Sequence, residues 1–194
     1  IYVAGCAEGA GTDHDFSVFS VTAAGAPRWA YNYNGSADDR DEALAITCGA
    51  DGNIYVAGYT TSSSEDREFT VVCLTPGGSE SWFSTISGSA GGDDEAVCVA
   101  YGPDGNIYAG GYTTNTGTGT DFTVGSWTAL GEPRWARTYS GSASGEEFAK
   151  DIICTDDNRV FAAGTAIGAG GNKDIAVMGW TTPDGGLVLS YRYN

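Results

Sequence analysis

Ile54-Tyr55-Val56-Ala57-Gly58, led in by Asp51-Gly52-Asn53, is the stretch on which the reading of this chain turns. It returns as Ile1-Tyr2-Val3-Ala4-Gly5, Ile107-Tyr108-Ala109-Gly110-Gly111 and Val160-Phe161-Ala162-Ala163-Gly164, 53 residues apart each time. The same step of 53 carries Asp15-Phe16 to Glu68-Phe69, Asp121-Phe122 and Asp174-Ile175. It carries Trp29 to Trp82 and Trp135, and Gly35-Ser36 to Gly88-Ser89 and Gly141-Ser142. Asp41, Asp94 and Glu147 also fall in register. One extra residue near Gly185-Gly186 places Leu189 in the tryptophan slot of the last copy. The chain is therefore four copies of one unit, in register 1–53, 54–106, 107–159 and 160–194.

A repeat of this length without helical periodicity matches a four-stranded β-propeller blade. The high glycine content, 30 residues, agrees with a turn-dense all-β chain. Naming the strands A to D from the ring centre outward, the second blade reads as follows. Strand A covers roughly 43–48, small and apolar as a crowded axis requires. Asp51-Gly52 then makes a hairpin turn, since glycine accepts positive φ. Strand B covers 54–60 and strand C 69–75, Pro76-Gly77-Gly78 turns the chain, and strand D covers 81–86. Trp82 falls on that outer strand, where a large ring covers the gap to the neighbouring blade. The chain is expected to be a single β-propeller domain or segment, 1–194.

The run Asp41-Glu42-Ala43, Gly52-Asn53-Ile54-Tyr55-Val56-Ala57-Gly58, Glu68-Phe69 and Trp82 resembles the bacterial β-propeller repeat family described as seven-bladed. The likeness extends over the whole chain. It implies the propeller fold and a setting in secreted or cell-surface proteins, hence an extracellular location. The family's motif includes no catalytic residue, so the resemblance implies none here.

Four full units would need about 19 residues more than are present, and the missing part is the innermost strand of the first blade. The chain opens inside a strand, which reads as a processed or incomplete boundary. A closed ring lacking a central strand would expose a raw edge. Three arrangements answer that: a section of a larger propeller, two copies forming an eight-bladed ring, or a strand supplied by a partner or a neighbouring copy.

Charge narrows the function. There are 25 acids against nine bases, a formal net charge of −16, and only two lysines, Lys150 and Lys173. Such a surface repels nucleic-acid phosphates and anionic lipids and favours cations or basic partners. No apolar run reaches the roughly 20 residues that a membrane helix needs, so neither nucleic acid nor membrane insertion is expected. Strand order puts the A–B and C–D turns on one side of the propeller and the B–C and D–A loops on the other. The second side is long and acidic, with 17 of the 25 acids. They are Glu8, Asp13, Asp15, Asp38, Asp39, Asp41, Glu42, Glu65, Asp66, Glu68, Asp93, Asp94, Glu95, Asp121, Glu146, Glu147 and Asp174. Loops on a rigid scaffold commonly carry binding. The expected binding face therefore comprises Glu42, Glu65, Asp66, Glu68, Glu95, Asp121, Glu146, Glu147 and Asp174.

Two roles stay open for the acids that recur in every unit. A carboxylate beside a strand start can accept backbone N–H groups and tie down a loop. Clustered Asp can instead bind calcium, a hard cation that takes six to eight oxygens. The calcium expectation rests on Asp13, Asp15, Asp38, Asp39, Asp41, Asp93 and Asp94, without an Asp-x-Asp-x-Asp-Gly loop. No other cofactor is expected. The five cysteines show no metal-ligand spacing and are expected as buried free thiols, with one disulfide possible in principle. His14 is the sole histidine, and no Gly-x-Ser-x-Gly, phosphate loop or dinucleotide fingerprint occurs. The expectation is a non-enzymatic scaffold or recognition module that engages a protein, a glycan or its own copies through the acidic face. The alternative is a catalytic propeller domain working as a glycoside hydrolase or lyase through paired carboxylates.

Overall fold

A computed structural model describes residues 1–9, 13–64, 66–142 and 145–194. Its sheets follow the repeat. The first holds β1 (Tyr2–Glu8), β2 (His14–Val21) and β3 (Pro27–Tyr33). The second holds β4 (Glu42–Cys48), β5 (Ile54–Thr61), β6 (Arg67–Leu74) and β7 (Glu80–Ile86). The third holds β8 (Glu95–Tyr101), β9 (Ile107–Asn115), β10 (Gly119–Trp127) and β11 (Pro133–Tyr139), and the two-residue β12 (Gly145–Glu146) pairs in parallel with the start of β10. The fourth holds β13 (Phe148–Thr155), β14 (Arg159–Ile167), β15 (Lys173–Thr181) and β16 (Leu187–Tyr193). Apart from β12, each sheet is an antiparallel meander in chain order, so the chain has the β-propeller fold. The first blade has three strands and lacks the innermost one. Each blade begins at a D–A loop, so it joins the last strand of one sequence unit to the first three of the next.

Local chemistry sets these elements. The A–B turns place Gly52 and Gly105 at φ 86° and 78°, and the fourth blade uses Asn158 at φ 61° in the same slot. Asparagine is among the few side chains that tolerate this region. The inner strands β4, β8 and β13 pack on one another across blade junctions. Each carries a register shift against its neighbour, at Ala43/Ala45, Ala96/Cys98 and Ala149/Asp151. Opposite the bulge stands the last glycine of the repeated five-residue run. A Cβ on Gly58, Gly111 or Gly164 would come within 2.0, 1.8 or 1.9 Å of the carbonyl oxygen of Glu42, Glu95 or Phe148. Gly5 holds the same slot in the first blade, and nothing lies within 4 Å of a Cβ there. At Gly58, Gly111 and Gly164 it is the inner strand that demands a glycine.

Each junction holds its own core. Phe16 and Val18 of the first blade meet Ala43, Ile54, Val56, Val72 and Leu74 of the second. Phe69, Val71 and Cys73 meet Ala96, Ile107, Ala109 and Trp127 at the next. Phe122, Val124 and Trp135 meet Ala149, Val160, Ala162, Met178 and Trp180 at the third. On the short-turn side the tryptophans of the outer strands close each junction. Trp29, Trp82 and Trp135 each donate the indole N–H, at 3.0 Å, to a carbonyl of the next blade: Pro76, Ala129 and Thr182. The rings lie on the turn glycines Gly78, Gly131 and Gly185, all with positive φ. The cysteines are free thiols, as expected, but only Cys73 and Cys98 are buried. Cys6 and Cys154 are half-buried and Cys48 is exposed.

Two glycines give a direct test. Gly58→Ala drives a Cβ into the Glu42 carbonyl and is expected to cost several kcal/mol, on the order of the ~4 kcal/mol seen for the largest single-site effects. Gly77→Ala, where a Cβ would meet only the Thr75 hydroxyl at 3.8 Å, is expected to stay within about 0.5 kcal/mol of the parent. Urea denaturation of the two variants checks this; similar losses would contradict the account.

Candidate functional site

The B–C and D–A loops do share one face, and the acids on it separate into a buried and an exposed set. Asp41, Asp94 and Glu147 are buried, at 0, 2 and 1% exposure. Asp41 accepts the amides of Gly35 (2.5 Å) and Thr61 (2.6 Å). Asp94 accepts those of Gly88 (2.7 Å) and Thr114 (2.5 Å), and Glu147 those of Gly141 (2.5 Å) and Ile167 (3.2 Å). Their own amides bond back to the preceding blade, at the carbonyls of His14, Arg67 and Thr120. Each acid thus clasps a D–A loop between two blades. Burial pushes all three carboxyls above the ordinary carboxylate range, against the opposing pull of the two amide donors. Neighbouring acids add to the rise: Asp15 and Asp39 for Asp41, Glu68 and Asp66 for Asp94, Asp121 for Glu147.

The second recurring set begins strand C. Asp15, Asp121 and Asp174 are buried, and one oxygen of each, Oδ1, has no protein hydrogen-bond partner. The other oxygen of Asp121 accepts from the Thr118 hydroxyl at 2.8 Å. Glu68, in the same slot of the second blade, is half-buried and accepts from the Ser87 hydroxyl at 2.5 Å.

The exposed acids lie in the loops. Asp13 pairs with His14 at 2.7 Å, Asp38 accepts from Asn34 at 3.0 Å, and Asp39 caps the Arg40 amide at 2.7 Å. Asp66 is half-buried near Gly91. Glu65 lies outside the described residues. Of the seven acids expected to hold calcium, Asp41 and Asp94 have both oxygens occupied by amides. Among the described residues no group of three or more His, Cys, Asp or Glu side chains converges in a way that could hold a metal ion.

Sequence reasoning named Glu42, Glu95 and Glu146 for this face but missed the rings and bases beside them on its inner rim, where strand A starts and strand B ends. A chain of contacts runs along it through successive blades. Glu42 accepts from Arg40 at 3.0 Å and from the Tyr59 hydroxyl at 3.2 Å. The Arg67 guanidinium lies 4.4 Å over the Tyr59 ring and bonds Glu95 at 2.5 Å. Burial first, and then the neighbouring charge of Glu95, raise the pKa of the Tyr112 phenol. Tyr112 meets Phe148 at 6.4 Å between ring centroids, with the planes at 58°. Lys150 and Lys173 lie 4.2 and 5.7 Å from the Phe148 ring, and Lys173 pairs with Glu146 at 3.0 Å. Beside Tyr112 and Phe148 opens a cleft of about 450 Å³, lined also by Asp93, Thr114, Thr120 and Glu146. Two rings, two carboxylates and two threonines in one cleft can hold a cation by charge and ring face, or a hydroxylated ligand by stacking and hydrogen bonds. The signal was present in the repeat. Positions 42, 95 and 148 are one slot, and it reads Glu, Glu, Phe.

Comparison with known proteins agrees with the fold. Residues 49–79 match the profile of a β-propeller domain of unknown function, DUF5122. No curated protein matches the sequence. Among solved structures, one described as "Crystal structure of the eukaryotic initiation factor" superposes with a TM-score of 0.50 at 10% identity, over 95% of this chain. The match spans 41% of that chain. At that identity the likeness concerns the fold alone.

The clasps carry a pH signature. A carboxyl raised by folding adds stability that is complete below its unfolded pKa and is lost as pH rises through the folded value. The difference in stability between the parent and Asp94→Asn, which cannot ionise, should therefore shrink as pH climbs from the ordinary carboxylate range towards neutrality. Urea midpoints of both proteins across that range check it. A difference that grows with pH would mean the amide donors outweigh burial.

Proposed function

We propose that this propeller is a non-catalytic binding module working outside the bacterial cell, and that it holds a partner, protein or glycan, against the long-loop face. The observation that carries this reading is the cleft at the junction of the third and fourth blades. It combines aromatic rings with exposed acids on the face that also bears the longest loops. The net charge of −16 favours a basic partner. The carboxyl groups that burial raises are all held by backbone amides in the clasps. The acids of the cleft, Asp93 and Glu146, lie in exposed ion pairs with Arg67 and Lys173. That division of labour favours binding over acid–base catalysis. The propeller-repeat resemblance supports the extracellular setting.

The test compares the two faces. Binding of a fluorescent oligolysine peptide and of neutral oligosaccharides is measured with the parent, with Asp38→Lys plus Asp39→Lys on the long-loop side, and with Asp156→Lys plus Asp157→Lys on the short-turn side. Saturable binding that falls at least about tenfold only in the first double variant, a change of about 1.4 kcal/mol, is the expected result. Equal effects from both double variants, or no saturable binding of either ligand, would remove the long-loop face as the binding surface.

A further inference from the structure

The repeat supplies an internal reference for the cleft. In the second blade, position 67 is arginine. Its guanidinium covers the Tyr59 ring and reaches forward to Asp93 on the next D–A loop and Glu95 at the start of β8. One step of 53 later the same positions are Thr120, Tyr112, Glu146 and Phe148. Those four residues line the cleft. The second blade thus fills this place with its own guanidinium, whereas the third has only a threonine and leaves about 450 Å³ open beside the equivalent ring. We propose that the cleft is a guanidinium site, which takes the arginine side chain of a basic protein partner. This rests on the long-loop face being the binding face and names the chemistry it selects.

The surroundings suit that cation. Tyr112 lines the cleft at the position that Tyr59 holds for Arg67. The change from glutamate to Phe148 adds a second ring, and planar guanidinium stacks on aromatic faces better than ammonium does. Glu146 stands where Asp93 stands for Arg67, and Asp93 itself lies on the other wall, where the preceding junction has Arg40. Other charges face the cleft. Arg67 holds Glu95 and lies 4.0 Å from Asp93, Lys150 lies over Phe148, and Lys173 holds Glu146. The Lys173–Glu146 pair is exposed on both sides, so an incoming guanidinium, which can bond a carboxylate with two parallel N–H groups, can displace it.

The experiment is a titration of the whole protein with N-acetyl-arginine amide, followed by two-dimensional amide NMR, beside the lysine and glutamine analogues. Shifts are expected at Tyr112, Thr120 and Phe148, saturating in about the millimolar range that suits a single side chain. Arginine should bind several-fold more tightly than lysine, and glutamine should not bind. Thr120→Arg fills the cleft from within and is expected to weaken binding at least about tenfold. Glu146→Gln, a change at an exposed side chain that leaves the fold intact, should also weaken it, and Lys173→Ala should tighten it. Shifts confined to the loop 34–41, or binding that Thr120→Arg leaves unchanged, would overturn the guanidinium site while leaving the wider face in place. Cleft shifts abolished by Thr120→Arg would uphold the site even if the charge reversal at Asp38 and Asp39 had no effect on larger ligands.

Discussion

Everything on the long-loop face depends on one arrangement, a buried carboxylate that accepts amides from a loop and from the strand of the following blade. Asp41, Asp94 and Glu147 each do this, while their own amides hold the preceding blade. Apart from the two-residue β12, the D–A loops have no ladder to satisfy their backbone groups, and buried amides without partners are costly. The clasp answers both needs at once. It also sets the direction in which the chain enters each inner strand, so that residues 42, 95 and 148 come to lie along the inner rim. The cleft exists because those entry points are held in step from blade to blade.

The opposite side uses different chemistry for the same purpose. There the indole N–H groups of Trp29, Trp82 and Trp135 bond turn carbonyls of the next blade, and the rings rest on glycines that leave room for them. Between the two fastenings lies an apolar core built from both blades. Each sheet offers faces that it cannot bury alone, so the burial that stabilises it comes from a neighbour. The outward face of the fourth blade shows the unburied condition, with Ile175, Leu187, Leu189, Tyr191 and Tyr193 exposed.

The strands were legible in the sequence to within about two residues, because their limits are written in turn chemistry. Asp51-Gly52 and Pro76-Gly77-Gly78 bound β5 and β6 whatever lies around them, and the constant spacing transfers that reading to every blade. The roles of the acids were not legible. Asp93 and Asp94 are adjacent in sequence, yet one faces solvent beside Arg67 and the other is enclosed by two amides. Composition cannot separate neighbours whose side chains leave the loop on opposite sides. The cleft was hidden for another reason. Phe148 reads as one more core aromatic until the slot it occupies is compared with Glu42 and Glu95, and Thr120 carries no signal except against Arg67. Both are visible only as departures from the repeat.

Among the described residues, the clasps, the indole bonds and the cores are each made by two adjacent blades. A change at one seam therefore acts directly on the two blades that share it. That gives the repeat freedom to diverge. A contact such as Arg67 on Tyr59 can be kept at one seam and abandoned at the next without risk to the architecture, since the clasp and the core beneath it still hold. In such a molecule new surfaces arise by omission: a side chain dropped from one copy of a solved packing problem leaves behind a place already shaped for it.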